Sequence, residues 1–481
     1  MDLKKLDRKI TQLDTTYPVK IIQVGEGNFL RAFVDWIVDK LNEKTDFNGA
    51  VKIVQPIPKG MVQTLNNQDG LYHVILQGVM KGEDVSEKRL IQSVYGGINP
   101  YDDYQEFLKL AENPELQMIV SNTTEAGIAF DEGDKTSDTL PNSYPGKLTA
   151  LLYHRFDHFS GESDKGLIII PCELIEKNGE HLKNYVLKYA GYWDLGEEFI
   201  RWVKENVVFC NSLVDRIVPG YPSDKADEFK KELGFDDKML VSAEYFHLWV
   251  IEGPDWIKEK FPVHKANLNI KFVDNLLPYR RRKVRILNGI HTSMVPVGYL
   301  YGLSTVRESI DNDVVGSFLS KALHEEIIPT LDLTREELTE FANAVLDRFR
   351  NPFIKHQLIS IALNSISKYK VRVLPSVLKY YEINNELPKR LLFSLAALIR
   401  FYKGDRNGEE IPLNDSDDII ILFSETWKLN DYQNITQTIL GNKKLWEQNL
   451  NEVDGMTDLI SGYLKEIDTN GIETALSKIN T

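Results

Sequence analysis

The stretch VKIIQVGEGNFLRAFVDWIVDKLNE, residues 19–43, constrains this chain more than any other. Residues 19–25 form an apolar run that reads as a buried strand, and an amphipathic helix follows almost at once. Between them Gly25 and Gly27 make a Gly-x-Gly turn, with the helix opening at about Phe29. The first glycine permits the tight turn. The second lets backbone N–H groups approach a pyrophosphate at the helix N-terminus, where the dipole favours negative charge. Leu30 replaces the third glycine of the usual fingerprint, so half of the pattern is present. Its place at the first strand–helix junction predicts dinucleotide binding. The expected contacts are Ile21, Ile22, Gln23, Val24, Gly25, Glu26, Gly27, Asn28, Phe29, Leu30, Arg31 and Ala32.

The rhythm continues. AVKIVQP (50–56), LYHVILQGVM (71–80), LQMIVSNTTEAG (116–127), KGLIIIPCEL (165–174) and VVFCNSLVDRIVP (207–219) each read as a strand. Strands alternating with helices predict a parallel α/β sheet, a Rossmann-like domain over residues 1–275 with extensions. From residue 276 helical periodicity takes over: 281–300, 311–329, 334–348, 353–368, 388–403, 418–426 and 455–478. Residues 276–481 are therefore expected to form a mostly α-helical C-terminal domain. At the end of the second strand, where a ribose-binding carboxylate would sit, stands Gln55, with Lys59 close by. A lysine can accommodate a 2′-phosphate, so these residues leave NAD and NADP both open.

The segment RRRKVRILNGIHTSMVP (280–296) turns from a basic run into an apolar helix. With Lys283 at zero on an α-helical wheel, Leu287 falls near about 40°, Ile290 near about −20° and Met294 near about 20°. Lys283 thus lies in the apolar stripe. Arg282 and Arg285 fall outside it, while His291 and Asn288 flank it at about 80° and about 140°. Burial and neighbouring positive charge would both lower a lysine pKa toward useful proton transfer near neutrality. Nucleic acid is a poor partner for this run. It is short, has little interleaved aromatic character beyond Tyr279, and belongs to a chain of formal net charge −14. That charge also argues against an anionic membrane surface.

These residues resemble the polyol-specific long-chain dehydrogenases, a family that includes mannitol 2-dehydrogenase. The signature lysine, four residues, asparagine, two residues, histidine is similar to Lys283, Asn288 and His291. GEGNFLRAF, QDGLYH, SNTTEAG, CELIEKNG, NSLVDRIVP, WVIEGP and RFRNPFIKH follow in the family's order over most of the chain. Several segments look like the branch that handles uronate-derived keto acids rather than the mannitol enzymes. The resemblance implies metal-independent, NADH-dependent reduction of D-tagaturonate to D-altronate, reversibly, in hexuronate catabolism. Its alternatives are reduction of fructuronate or a mannitol-type polyol oxidation.

The resemblance also assigns roles. Lys283 would be the general acid, Asn288 a hydrogen-bond donor to the carbonyl oxygen, His291 a ligand of a neighbouring hydroxyl, and Asp215 a partner in the proton path. Asn122 and Thr124 would join the cofactor contacts. Mannitol enzymes carry a second asparagine where this chain has Leu174, beside Glu173. A uronate also brings a carboxylate that needs a cation, and Lys355, His356, Lys368 and Arg372 are the candidates. His154 and His158 have i, i+4 spacing without a third ligand signal, so no metal site is expected. The only cysteines, Cys172 and Cys210, suit a reducing compartment. With no apolar signal core in MDLKKLDRKITQLD, the expected location is cytoplasmic. The sequence does not decide the oligomeric state.

Overall fold

A computed structural model describes residues 3–13, 16–124 and 126–480. The chain divides into two compact units, Met1–Gln77 with Asp84–Leu276, and Gly78–Glu83 with Leu277–Thr481.

Among the described residues the first unit holds twelve strands: β1 (Val19–Val24), β2 (Ala50–Val54), β3 (Tyr72–Met80), β4 (Glu83–Ile91), β5 (Val94–Ile98), β6 (Met118–Ser121), β7 (Ile168–Pro171), β8 (Val208–Phe209), β9 (Asn211–Asp215), β10 (Val241–Glu244), β11 (Leu248–Glu252) and β12 (Ile270–Val273). Six of them form an all-parallel sheet in the order β5-β2-β1-β6-β7-β8. Counted within that sheet the order is 3-2-1-4-5-6, the doubly wound Rossmann arrangement.

Side-chain alternation divides the sheet's two faces. Ile21, Ile53, Val120, Ile168 and Ile170 pack with Phe33, Ile37 and Leu41 of helix 28–44. Ile22, Val24, Val54, Ile119 and Ile169 pack with Leu148, Leu151, Leu182 and Trp202 on the other side.

Two expected strands take other places. The 71–80 segment joins β4 and β10 in a separate three-stranded sheet. The 207–219 run gives β8 to the parallel sheet and then β9, which pairs antiparallel with β11 in a third sheet. The parallel position left vacant is filled by VYGGI (94–98), whose adjacent glycines hide its strand character from propensity.

The second unit is built almost entirely of helices. Its central one runs from Leu277 to Tyr301 and includes a π-helical turn, Lys283–Gly289. Residues 292–298 are buried all round, so the apolar part of this helix is a core helix. The expected helix at 353–368 is absent as such. Two short helices, Leu358–Ile361 and Ser365–Arg372, stand there, separated by Asn364 in the left-handed region (φ 52°). The 78–83 segment joins this unit through its backbone: the N–H of Lys81 donates to Asp347 Oδ2 at 2.8 Å.

Candidate active site

At the carboxyl ends of β1 and β6, where the strand order reverses, the Gly-x-Gly turn meets the loop 122–124. This is the place where open α/β sheets bind nucleotides. Gly25 has φ 126°, and a Cβ there would lie 3.2 Å from both the Asn122 carbonyl oxygen and Leu30 Cδ1. Leu30, 1% exposed, therefore packs against the turn from the core side, which accounts for the missing third glycine.

Gly27 differs. It caps helix 28–44 without a side-chain hydrogen bond, and a Cβ there would meet nothing within 4 Å. An uncapped helix N-terminus behind a glycine with open space in front suits a pyrophosphate. The residues present fit a dinucleotide.

Side chains fix this turn from below. Arg31 is fully buried; its Nε donates to the Glu26 carbonyl at 3.0 Å and its Nη2 to Asn28 Oδ1 at 2.7 Å. Helix 28–44 carries a π-turn at Arg31–Asp35, which redirects backbone carbonyls. The Ala32 carbonyl accepts from Arg216 Nη1 at 2.6 Å, and the Arg31 carbonyl from Tyr72 Oη at 3.2 Å. Phe29 stacks on Phe33 with ring centroids 5.0 Å apart. Glu26 accepts from the Met61 N–H at 3.3 Å, and burial raises its pKa.

Gln55 is buried and donates to the Ile57 and Pro58 carbonyls at 2.9 and 3.2 Å, so its amide shapes the loop after β2. Lys59 is exposed in that loop.

Beyond β6, Glu173 anchors the loop. Its carboxylate accepts from Ser121 Oγ (3.1 Å), Thr123 N (2.9 Å) and Thr123 Oγ1 (2.9 Å), and burial raises its pKa. Thr124 sits at φ 74°, a conformation costly for a β-branched residue and typical of ligand-holding loops. Its neighbour Glu125, in the SNTTEAG segment, lies outside the described residues.

A carboxylate that the sequence reading missed lies inside this support. Asp35 is wholly buried; Tyr72 Oη donates to its Oδ2 at 2.6 Å and Gln23 Nε2 at 3.3 Å, while Gln23 also donates to the Gly25 carbonyl at 3.1 Å. Burial, opposed by those two donors, pushes the Asp35 pKa up to about 7. Among the described residues Asp35 Oδ1 and Gln23 Oε1 are both buried without a hydrogen-bond partner. A proton on Asp35 would turn one of these buried acceptors into a donor. The folded chain then holds that proton more tightly than the unfolded chain. Stability from Asp35 is greatest below the ordinary carboxylate range near about 4, falls as pH rises, and levels off above about 7. Asp35→Asn is expected to flatten the thermal-unfolding midpoint against pH over this window, as differential scanning calorimetry would show. An unchanged slope would mean that Asp35 is ionised throughout.

In the helical unit, the π-turn alters the geometry read from the α-wheel. A turn hydrogen-bonded i to i+5 takes up about one residue more than an α-turn. Counting that extra residue, Asn288 moves from about 140° to about 40° from Lys283, and His291 from about 80° to about −20°. All three therefore share one face. Lys283 and Asn288 are half-buried. His291 stacks on Phe349 with centroids 4.1 Å apart, and its Nε2 is buried without a partner among the described residues. Burial first, then the charges of His356, Arg348 and Arg372, hold its pKa well below the usual histidine value, so the ring is neutral.

Arg282 corrects the wheel in another way: it is 2% exposed, lies 4.2 Å over the Phe341 ring and pairs with Glu337 at 3.2 Å. Arg285 donates to Ser376 Oγ at 3.3 Å, and burial pushes its pKa down to about 10.

The remaining candidates separate. His356 meets His291 edge-on at 5.3 Å, whereas Lys355 is exposed. Lys368 and Arg372 lie four residues apart on helix 365–372, hence on one face. Asp215 is buried at the end of β9, opposite Leu248. His154 Nε2 is 2.9 Å from Glu112 Oε1, and His158 packs edge-on against Phe159.

Residues 19–265 match the mannitol dehydrogenase Rossmann domain, and residues 275–468 match the mannitol dehydrogenase C-terminal domain. The chain belongs to the mannitol dehydrogenase family. This makes it an oxidoreductase acting on CH–OH groups. It is 47% identical over 478 residues to an altronate oxidoreductase of Bacillus subtilis, covering 99% of this chain and 98% of that protein. A substrate-free D-sorbitol dehydrogenase shares the fold with a TM-score of 0.83 at 22% identity, over 98% of this chain and all of that one (100%). The Pseudomonas fluorescens mannitol 2-dehydrogenase ternary complex with NAD and D-mannitol gives a TM-score of 0.64 at 22% identity, over 99% of each chain.

Leu174, the position where the family resemblance leads one to expect a second asparagine, is 58% exposed. The nearby Asn178 amide is committed to backbone. It donates to the Pro171, Glu173 and Ser212 carbonyls at 3.0, 3.0 and 3.1 Å, all within the scaffold.

Proposed function

We propose that this chain catalyses the NADH-dependent reduction of D-tagaturonate to D-altronate and the reverse oxidation, within hexuronate catabolism and in the cytoplasm. The observation that carries this reading is the π-turn over Lys283–Gly289, which on a helical count brings Lys283, Asn288 and His291 to one face, in a chain 47% identical to an altronate oxidoreductase along 99% of its length. The Pseudomonas fluorescens relative, solved with NAD, supports the choice of cofactor. Among the described residues no helix is long and apolar enough to cross a membrane.

The residues that would hold NAD(H) are Gly25, Gly27 and the N–H groups opening helix 28–44, with the strand end Ile21–Val24, Glu26 and Asn28–Ala32 shaping the turn and Asn122 and Thr124 beside it. The nicotinamide supplies the hydride. Lys283 gives a proton to the ketone oxygen as that oxygen gains negative charge, and takes it back when the alcohol is oxidised. Asn288 donates a hydrogen bond to the same oxygen, an interaction that strengthens as charge develops. His291, being neutral, binds a neighbouring hydroxyl without adding a competing charge. Asp215 is carried from the family resemblance as a further acid–base residue of the same reaction.

NADH oxidation followed with tagaturonate, fructuronate and fructose side by side tests the reading. Tagaturonate is expected to give the highest kcat/KM. A higher value for fructuronate or fructose would overturn the substrate assignment, and turnover only with NADPH would overturn the cofactor.

A further inference from the structure

A ketouronate of six carbons bears its carboxylate at the end of the chain remote from the ketone. The proton donor and the group that grips the carboxylate must therefore occupy different parts of the pocket. Resting on the function proposed above, the helical unit offers a specific group for the second task.

Arg372 belongs to helix 365–372, which abuts the π-turn: its carbonyl oxygen lies 3.1 Å from where a Cβ on Gly289 would be. Its charge acts on both His291 and Lys368. The side chain is half-buried, and burial alone lowers its pKa, with no carboxylate acting against it. Among the described residues it has neither an ion pair nor a side-chain hydrogen bond. A half-buried guanidinium without a counter-ion is costly, and in a chain with 71 acidic residues the lack is notable.

The neighbouring cations are engaged elsewhere. Lys368 Nζ donates to the Ile361 carbonyl at 2.9 Å and feels Asp415, and Lys355 is exposed. His356, whose pKa burial lowers, lies edge-on against His291.

We propose that Arg372 grips the substrate carboxylate, and that this contact selects a uronate over an uncharged ketose. The planar fork of arginine matches a carboxylate in two hydrogen bonds, which a lysine cannot reproduce.

The test compares wild type, Arg372→Met and Arg372→Lys. It measures kcat and KM for tagaturonate, together with calorimetric affinities of the NADH-loaded enzyme for altronate and for the uncharged alditol of the same configuration. Arg372→Met is expected to raise KM and weaken altronate binding by about 10²-fold, with alditol affinity within about twofold of wild type and kcat falling less than KM rises. Arg372→Lys should recover part of the loss, because it restores charge without the fork. If Arg372→Met unfolds like wild type and keeps the altronate-to-alditol preference, Arg372 is not the grip. The same loss in Lys368→Met but not in Arg372→Met would assign the carboxylate to the lysine and overturn the proposal. A wild-type enzyme that binds altronate over the alditol yet does not reduce tagaturonate would instead overturn the proposed reaction, leaving the Arg372 comparison to be read from binding.

Discussion

Lys283→Ala is expected to lower turnover of tagaturonate by about 10²- to 10⁴-fold, the usual cost of removing a general acid, while NADH affinity stays within about twofold. The reasoning begins with the π-turn. On a helical count it brings Lys283, Asn288 and His291 to one face of a helix whose residues 292–298 are buried, which gives the ammonium a rigid support. Removing it leaves the ketone oxygen without a proton source as the hydride arrives. Single-turnover kinetics separate this from slow product release, and small primary amines added to the variant should restore part of the rate. A variant with wild-type single-turnover rate would show that the proton comes from elsewhere.

Gly27→Val is expected to weaken NADH binding by at least about 10²-fold with little change in thermal stability. Gly27 has φ −62° and ψ 162°, backbone angles that valine adopts readily, and no protein atom stands within 4 Å of the new Cβ. The fold therefore has no reason to resist. The branched side chain instead fills the space in front of the helix N-terminus that the phosphates need. Gly25→Val would not separate these effects. Its φ of 126° and its closeness to the Asn122 carbonyl would distort the turn itself. Fluorescence titration of NADH into folded Gly27→Val settles the matter, and an unchanged dissociation constant would remove the pyrophosphate from this turn.

Local patterns in the sequence revealed those parts of the site that depend on neighbours along the chain. The strand, two glycines and helix at 19–43 are one such unit, and so is the lysine, asparagine and histidine spacing. What escaped depends on partners far away. Whether Tyr72 belongs to the parallel sheet is decided by the pairing of its strand with β10, far later in the chain, which strand propensity does not encode. Asp35 looks like one charged position on an amphipathic helix until Tyr72 and Gln23 are seen to enclose it. The α-wheel spread Lys283, Asn288 and His291 over about 140°, because one extra residue in a turn leaves no mark in composition. The wheel puts Arg282 outside the apolar stripe for a related reason: it ranks faces by apolarity and gives no credit for a guanidinium lying on Phe341.

The short segment Gly78–Glu83 belongs to the helical unit although it is strung between strands of the other, and Lys81 reaches Asp347 across 266 residues. The chain thus passes from one unit to the other three times, not once. During synthesis this tip emerges long before any helix that will receive it, and it must wait, tethered at both ends, until the C-terminal half exists. A cut at the single late boundary would yield a helical fragment lacking a piece of itself. The two halves of this protein are separable as folds but not as lengths of polypeptide.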